Sequence, residues 1–177
     1  MSDSSVQAPA TRAGFHAPSI ALFLAGGLMA CSFSAGTKTD LKTGLQYSYY
    51  GLSLEEVYFV GPENTPLTSN DVAYGSVVAL VAQGIGNFQV ENNRVFPGLS
   101  LSVTGEDGSL ILNEPDLLTE SEGFSPEDAS IMRGSLTIGE PMEAGNTYKM
   151  KVIIWDKKKP QNKIESEVPI HVVLLPE

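Results

Sequence analysis

Residues that carry most protein chemistry are scarce in this chain: one cysteine, two histidines and one tryptophan stand among 177 residues. A single cysteine closes no intramolecular disulfide and supplies no Cys-rich zinc site. Cations are also few, eleven lysines and arginines against twenty-one carboxylates, for a formal net charge of −10. With no broad basic surface to release counterions, nucleic acid is excluded as a partner, and anionic lipid is an equally poor electrostatic one. Amphipathic helical periodicity of useful length is missing as well, which excludes a helical bundle.

What is present begins at the N-terminus, where residues 17–30 form a 14-residue uncharged apolar run after a polar stretch carrying Arg12 and His16. As a helix this run would reach about 21 Å, short of the roughly 30 Å hydrocarbon core, so it reads as a secretory signal segment. It ends in Leu28-Met29-Ala30-Cys31, which resembles the lipobox of bacterial lipoproteins. The resemblance implies cleavage before Cys31, diacylglycerol on its thiol and a further acyl chain, such as palmitate, on the new N-terminus. Each buried methylene contributes about 0.8 kcal/mol, and stable attachment takes more than one chain. Ser32 in place of Asp implies, by the same resemblance, sorting to the outer membrane. An uncleaved anchor extended through Phe33 and Ala35, or a buried segment with a free thiol, are the alternatives.

Cleavage would remove Arg12 and Asp3 together, leaving the charge at −10, and would remove His16, leaving His171 alone. Cysteine catalysis and zinc sites built on several histidines go with them. Residues 31–43 are small and polar with little periodicity, and read as the lipidated cysteine and a flexible tether. From residue 44 to 177 come short stretches rich in Val, Ile, Leu, Tyr and Thr, divided by Gly, Pro, Asn and Asp. The expected domain is all-β, with strands near 45–50, 54–60, 74–83, 88–96 (broken at Asn92-Asn93), 99–104, 109–112, 131–138, 147–155 and 163–174. A two-residue Asp107-Gly108 turn would pair Val103 with Leu112. Ser125, Pro126 and Asp128 predict one helical turn with a capping box, serving as a crossover.

One stretch is more particular. Pro141-Met142-Glu143-Ala144-Gly145-Asn146-Thr147-Tyr148, followed by Lys149-Met150-Lys151-Val152, resembles the entry to strand F of fibronectin type III and related immunoglobulin-like domains. The resemblance implies a two-sheet immunoglobulin-like sandwich in which Tyr148 forms a corner by hydrogen bonding back to upstream backbone. The disulfide of antibody domains is absent, and Trp155 falls at the end of its strand.

Candidate chemistry is sparse. His171 alternates with Glu165 and Glu167 against the apolar Ile164, Val168 and Ile170, and reads as a solvated strand histidine. Gly84-Ile85-Gly86 lacks the third glycine and the helix needed to hold a pyrophosphate. Glu55 and Glu56 are strand neighbours and point to opposite faces, so they cannot flank one bond. Alternation places Tyr47 and Tyr49 together with Tyr50 opposite; core packing and sugar stacking are the two readings of the Tyr47, Tyr49, Tyr50, Tyr58, Phe59 and Trp155 set.

Charge is segregated. No Lys or Arg interrupts residues 95–132, which hold Glu106, Asp107, Glu114, Asp116, Glu120, Glu122, Glu127 and Asp128, whereas Lys149, Lys151, Lys157, Lys158, Lys159 and Lys163 follow around one hairpin. Glu106, Asp107, Asp116, Glu120 and Glu122 are therefore the candidate contacts for a basic partner or for Ca²⁺, although EF-hand spacing is missing. No resident cofactor is expected. The reading is an envelope lipoprotein held to the membrane through its lipid, a non-enzymatic binding or assembly module with a protein or glycan partner. A carbohydrate-binding accessory lipoprotein and a small hydrolase are the alternatives.

Overall fold

The computed structural model describes residues 34–174. Among them, in chain order, lie the strands β1 (Ala35–Thr39), β2 (Gln46–Tyr50), β3 (Glu56–Val60), β4 (Asp71–Ala73), β5 (Val77–Gln83), β6 (Pro97–Gly105), β7 (Leu110–Glu114), β8 (Ile131–Thr137), β9 (Thr147–Asp156) and β10 (Lys159–Val173). They form two sheets, β3-β5-β8 and β1-β2-β10-β9-β6-β7, with β4 running parallel beside the end of β10 and the other pairings antiparallel. The fold is thus the expected all-β, two-sheet sandwich. β3-β5-β8 set against β7-β6-β9-β10 has the strand order of an immunoglobulin-like domain, and the β1-β2 hairpin widens the larger sheet beyond β10.

Alternation builds the core. Tyr148, Met150, Val152 and Ile154 of β9, Leu99, Leu101 and Val103 of β6, and Ile164, Val168, Ile170 and Val172 of β10 are buried from the larger sheet. Val57 and Phe59, Val78 and Leu80, Met132 and Leu136 meet them from the smaller sheet in one cluster. At Gly134 of β8 the larger sheet packs against the backbone itself: a Cβ there would lie 2.6 Å from Val152 Cγ2. The polar Ser166, at a core position of β10, donates its hydroxyl to the Val152 carbonyl at 3.2 Å.

Several local expectations need correction. Residues 35–39, read as tether, are strand β1, which pairs with β2 along its whole length. Their polar composition suits an edge strand exposed on both faces rather than free chain. The turn that follows is explicit: Asp40 accepts the Lys42 N–H at 3.0 Å and the Thr43 hydroxyl at 2.7 Å, and Gly44 takes φ 74°. The expected strand 74–83 divides at Gly75, φ 86°, as the chain passes from β4 on the larger sheet to β5 on the smaller. Residues 88–96 are not a strand: Asn92 and Asn93, at φ 51° and 61°, make a tight turn closed by Glu91 and Arg94.

The Val103–Leu112 pairing is present, but a different turn produces it. Gly105 and Ser109 close a three-residue loop with Gly108 at φ 81°, and an irregularity in β7 restores the register. One half of the expected capping box is present: Ser125 Oγ accepts the Asp128 N–H at 3.1 Å, but the Asp128 carboxylate turns back to the Ser125 hydroxyl at 2.8 Å rather than to its backbone N–H, ahead of a 3₁₀ turn at Asp128–Ser130.

Candidate binding face

The outer face of the larger sheet collects the odd-numbered residues of β9 and β10. Across strands, backbone pairing puts Tyr50, Lys163, Trp155 and Gly98 on one row, Ser48, Glu165, Ile153 and Ser100 on the next, and Gln46, Glu167, Lys151 and Ser102 on a third. Trp155 covers Gly98: a Cβ on that glycine would fall 2.1 Å from the indole Cε2 and 2.2 Å from Cζ2. Only a hydrogen fits beneath the ring, so Gly98 lets the indole lie on the β6 backbone. Trp155 stays half-buried, and Tyr50 is 47% exposed.

Beside Tyr50 lies an open trough of about 460 Å³ lined by Ala35, Thr37, Ser48, Tyr50, Lys163 and Glu165. A smaller hollow of about 200 Å³ continues it past Gln46, Lys151 and Glu167. The charged groups here neutralise one another. Glu165 pairs with Lys151 at 2.9 Å and also with Lys163, and Lys149 stands 3.6 Å from Glu167. Hydrogen bonds from Lys151 and then Lys163 hold the Glu165 carboxyl below its ordinary value. His171 lies farther along the same face, its Nδ1 3.3 Å from the Thr147 hydroxyl.

A second polar cluster joins the added hairpin to β3, where Tyr47 donates to Glu56 at 2.7 Å and Lys38 reaches the same carboxylate at 3.5 Å. Burial, then the bond to Glu56, raises the Tyr47 phenol above its usual range. Glu56 is thus a clamp between elements, while Glu55, in the bend just ahead of β3, is exposed. Of the aromatic set, Tyr47 and Phe59 are core, Tyr49 lies on the Tyr47 face over Gly36, and Tyr58 is exposed. Gly84, at φ 70°, and Gly86, bridged to Ser53, form an irregular turn.

Tyr148 makes its corner: Oη accepts the Glu143 N–H at 2.8 Å from a buried ring. The acidic candidates are not gathered into one surface. Glu106 and Asp107 sit in the turn after β6, whereas Asp116 binds the Leu99 amide near its start, a separation of roughly 20 Å along the strand. Glu120 and Glu122 follow Asp116 on the loop that returns to Val95 through Phe124. Asp107 is occupied by the Ser109 N–H at 2.9 Å.

Asp116 is occupied more fully, accepting the Leu99 and Leu118 amides and pairing with Lys157 at 2.7 Å. Burial opposes its ionisation, but Lys157 and the two amides outweigh it and hold the carboxyl below its ordinary value. Part of the sequence's charge segregation is therefore internal docking, for Lys157 also donates to the Leu118 carbonyl at 2.7 Å and Lys158 pairs with Glu91 at 2.7 Å. Among the described residues no three His, Cys, Asp or Glu side chains are placed to share a metal ion. The length of β6 divides the expected contact set, with Glu106 and Asp107 at one end and Asp116 at the other. Cys31, the expected lipidation site, lies outside the described residues.

Sequence reasoning missed three arrangements, the Trp155–Gly98 contact, the Tyr47–Glu56–Lys38 clamp and the buried Asp156, whose carboxylate accepts the Gln89 N–H at 2.7 Å and the Lys158 N–H at 2.8 Å. The Asp156-Lys157-Lys158 turn was the only local signal for any of them. No family model matches the chain, and no curated protein is similar to it at a significant level.

Proposed function

We propose that this chain is a lipid-anchored, non-enzymatic β-sandwich of the cell envelope, an outer-membrane lipoprotein that serves as a binding or assembly module. The observation that carries the reading is the lipobox-like Leu28-Met29-Ala30-Cys31 after an apolar run too short to span, only four residues ahead of β1. Four residues extend at most about 14 Å, so a lipid on Cys31 would hold the β1-β2 side of the larger sheet close to the membrane surface. The binding role is supported by the broad outer face of that sheet. Its carboxylates and ammonium groups are paired with one another in a shallow open trough, which suits holding a ligand better than activating one. The immunoglobulin-like strand order supports the same role, as a scaffold carrying sites on its surface.

The test is Cys31→Ser. Intact mass and fractionation of the wild type should give a membrane-bound chain that begins at a diacylglyceryl Cys31, and the variant should be released or left as uncut precursor. A full-length, unmodified wild-type chain held in the membrane would overturn the anchor.

A further inference from the structure

We infer that the outer face of the larger sheet binds a neutral oligosaccharide, with Trp155 as the stacking platform and the trough beside Tyr50 as the second contact. The inference rests on the binding-module reading but not on lipidation of Cys31.

The platform is the first ground. An indole that packs into a core gives both its faces to apolar side chains. Trp155 instead projects from the solvent side of β9 and rests on a glycine, leaving part of the ring in water. A pyranose suits such a surface because its axial C–H bonds form a flat, weakly positive patch that the negative face of an aromatic ring attracts. Tyr50 lies on the same row with β10 between, so the two strands that carry these aromatics are about 10 Å apart. One sugar on Trp155 and another beside Tyr50 would belong to one short chain lying across the sheet.

Polarity is the second ground, and it decides between occupants. The Ser48, Glu165, Ile153 and Ser100 row, polar but for Ile153, and the Gln46, Glu167, Lys151 and Ser102 row run parallel to the aromatic one. Hydroxyl, amide, carboxylate and ammonium groups together supply the mixture of donors and acceptors that sugar hydroxyls need. An acyl chain or apolar helix would strip water from these ion pairs and hydroxyls and offer no hydrogen bond in return. Nucleic acid would need a cationic face, and here Lys151 and Lys163 are already paired with Glu165. An extended peptide adds to a sheet edge rather than to its face. The trough of about 460 Å³ also falls within the size of small-molecule sites.

Because Trp155 is the chain's sole tryptophan, intrinsic fluorescence reports this one site. The full-length chain is titrated with cellohexaose, mannohexaose, xylohexaose and laminarihexaose. At least one should give a saturable change in Trp155 emission, matched by heat in calorimetry. In calorimetry Trp155→Ala should weaken binding about tenfold, and Trp155→Phe, which keeps a stacking face, should restore most of it. Tyr50→Ala and Gly98→Ala should each weaken it, the second by lifting the indole. Unfolding midpoints of all four variants verify that they are folded. Absence of saturable binding to any of the four hexasaccharides overturns the inference, as does unchanged affinity in a folded Trp155→Ala. The titration should read the same on Cys31→Ser, so loss of anchoring and loss of glycan binding are separate results.

Discussion

Tyr148→Phe removes one oxygen and little else, which makes it the sharpest probe of how the sandwich is closed. The ring is only 6% exposed and stays in place in the variant, so no cavity term arises. What is lost is the bond from the Glu143 amide to Oη, 2.8 Å long. Glu143, Ala144, Gly145 and Asn146 are exposed, so water can reach the freed N–H, and the cost falls at the lower end of the scale for a deleted hydrogen bond. About 1 to 1.5 kcal/mol is expected, equivalent to roughly 3 to 5 °C in Tm for a domain of this size.

Urea unfolding followed by Trp155 emission should show a lower midpoint with an unchanged slope. Tyr148→Ala sets the scale, since it also empties the ring site and should cost about 3 to 5 kcal/mol. An unchanged midpoint for Tyr148→Phe would refute the corner as an energetic element and leave the tyrosine with a packing role alone.

Two further perturbations test the sheet contact and the internal docking of charge. Gly134→Ala should destabilise by about 1 to 3 kcal/mol in urea titration, because its new methyl meets the stiff Val152 side chain 2.6 Å away, and the double variant with Val152→Ala should recover part of the loss. Asp116, whose carboxyl is held below the ordinary 3.8, contributes stability that is full above that value and lost as pH falls below it. Asp116→Asn should therefore be less stable than wild type near neutrality, and the gap, read from urea midpoints across acid pH, should close below about pH 4.

Much of the sandwich was legible because one signal, the period of two, is local and repeated. Leu99, Leu101 and Val103, or Tyr148, Met150, Val152 and Ile154, declare a buried face within a single strand. The Tyr148 corner and the bond from the Asp128 amide to Ser125 Oγ were legible because donor and acceptor lie within a few residues. Errors arose where pairing outweighed composition. Ala35–Thr39 has no apolar face to announce a strand, yet β2 offers it a full row of backbone partners. Residues 88–96 have strand composition, yet two consecutive asparagines in the left-handed region turn the chain back on itself.

The candidate binding face was illegible for a deeper reason, which also explains the fate of the acidic segment. Alternation shows that Tyr50 and Trp155 are each turned away from their strands' buried neighbours, but only the strand order places them on one row with Lys163 between. β2 enters that order from the hairpin outside the immunoglobulin-like set, which no motif in the sequence signals. The same non-local order works in reverse on Glu106, Asp107 and Asp116, neighbours along the chain that β6 holds roughly 20 Å apart. Proximity in sequence therefore overstated the acidic patch and concealed the aromatic row. If ligand binding resides on that face, its determinants come from β2, β6, β9 and β10 together, and sequence comparison limited to any one of these strands would not detect it.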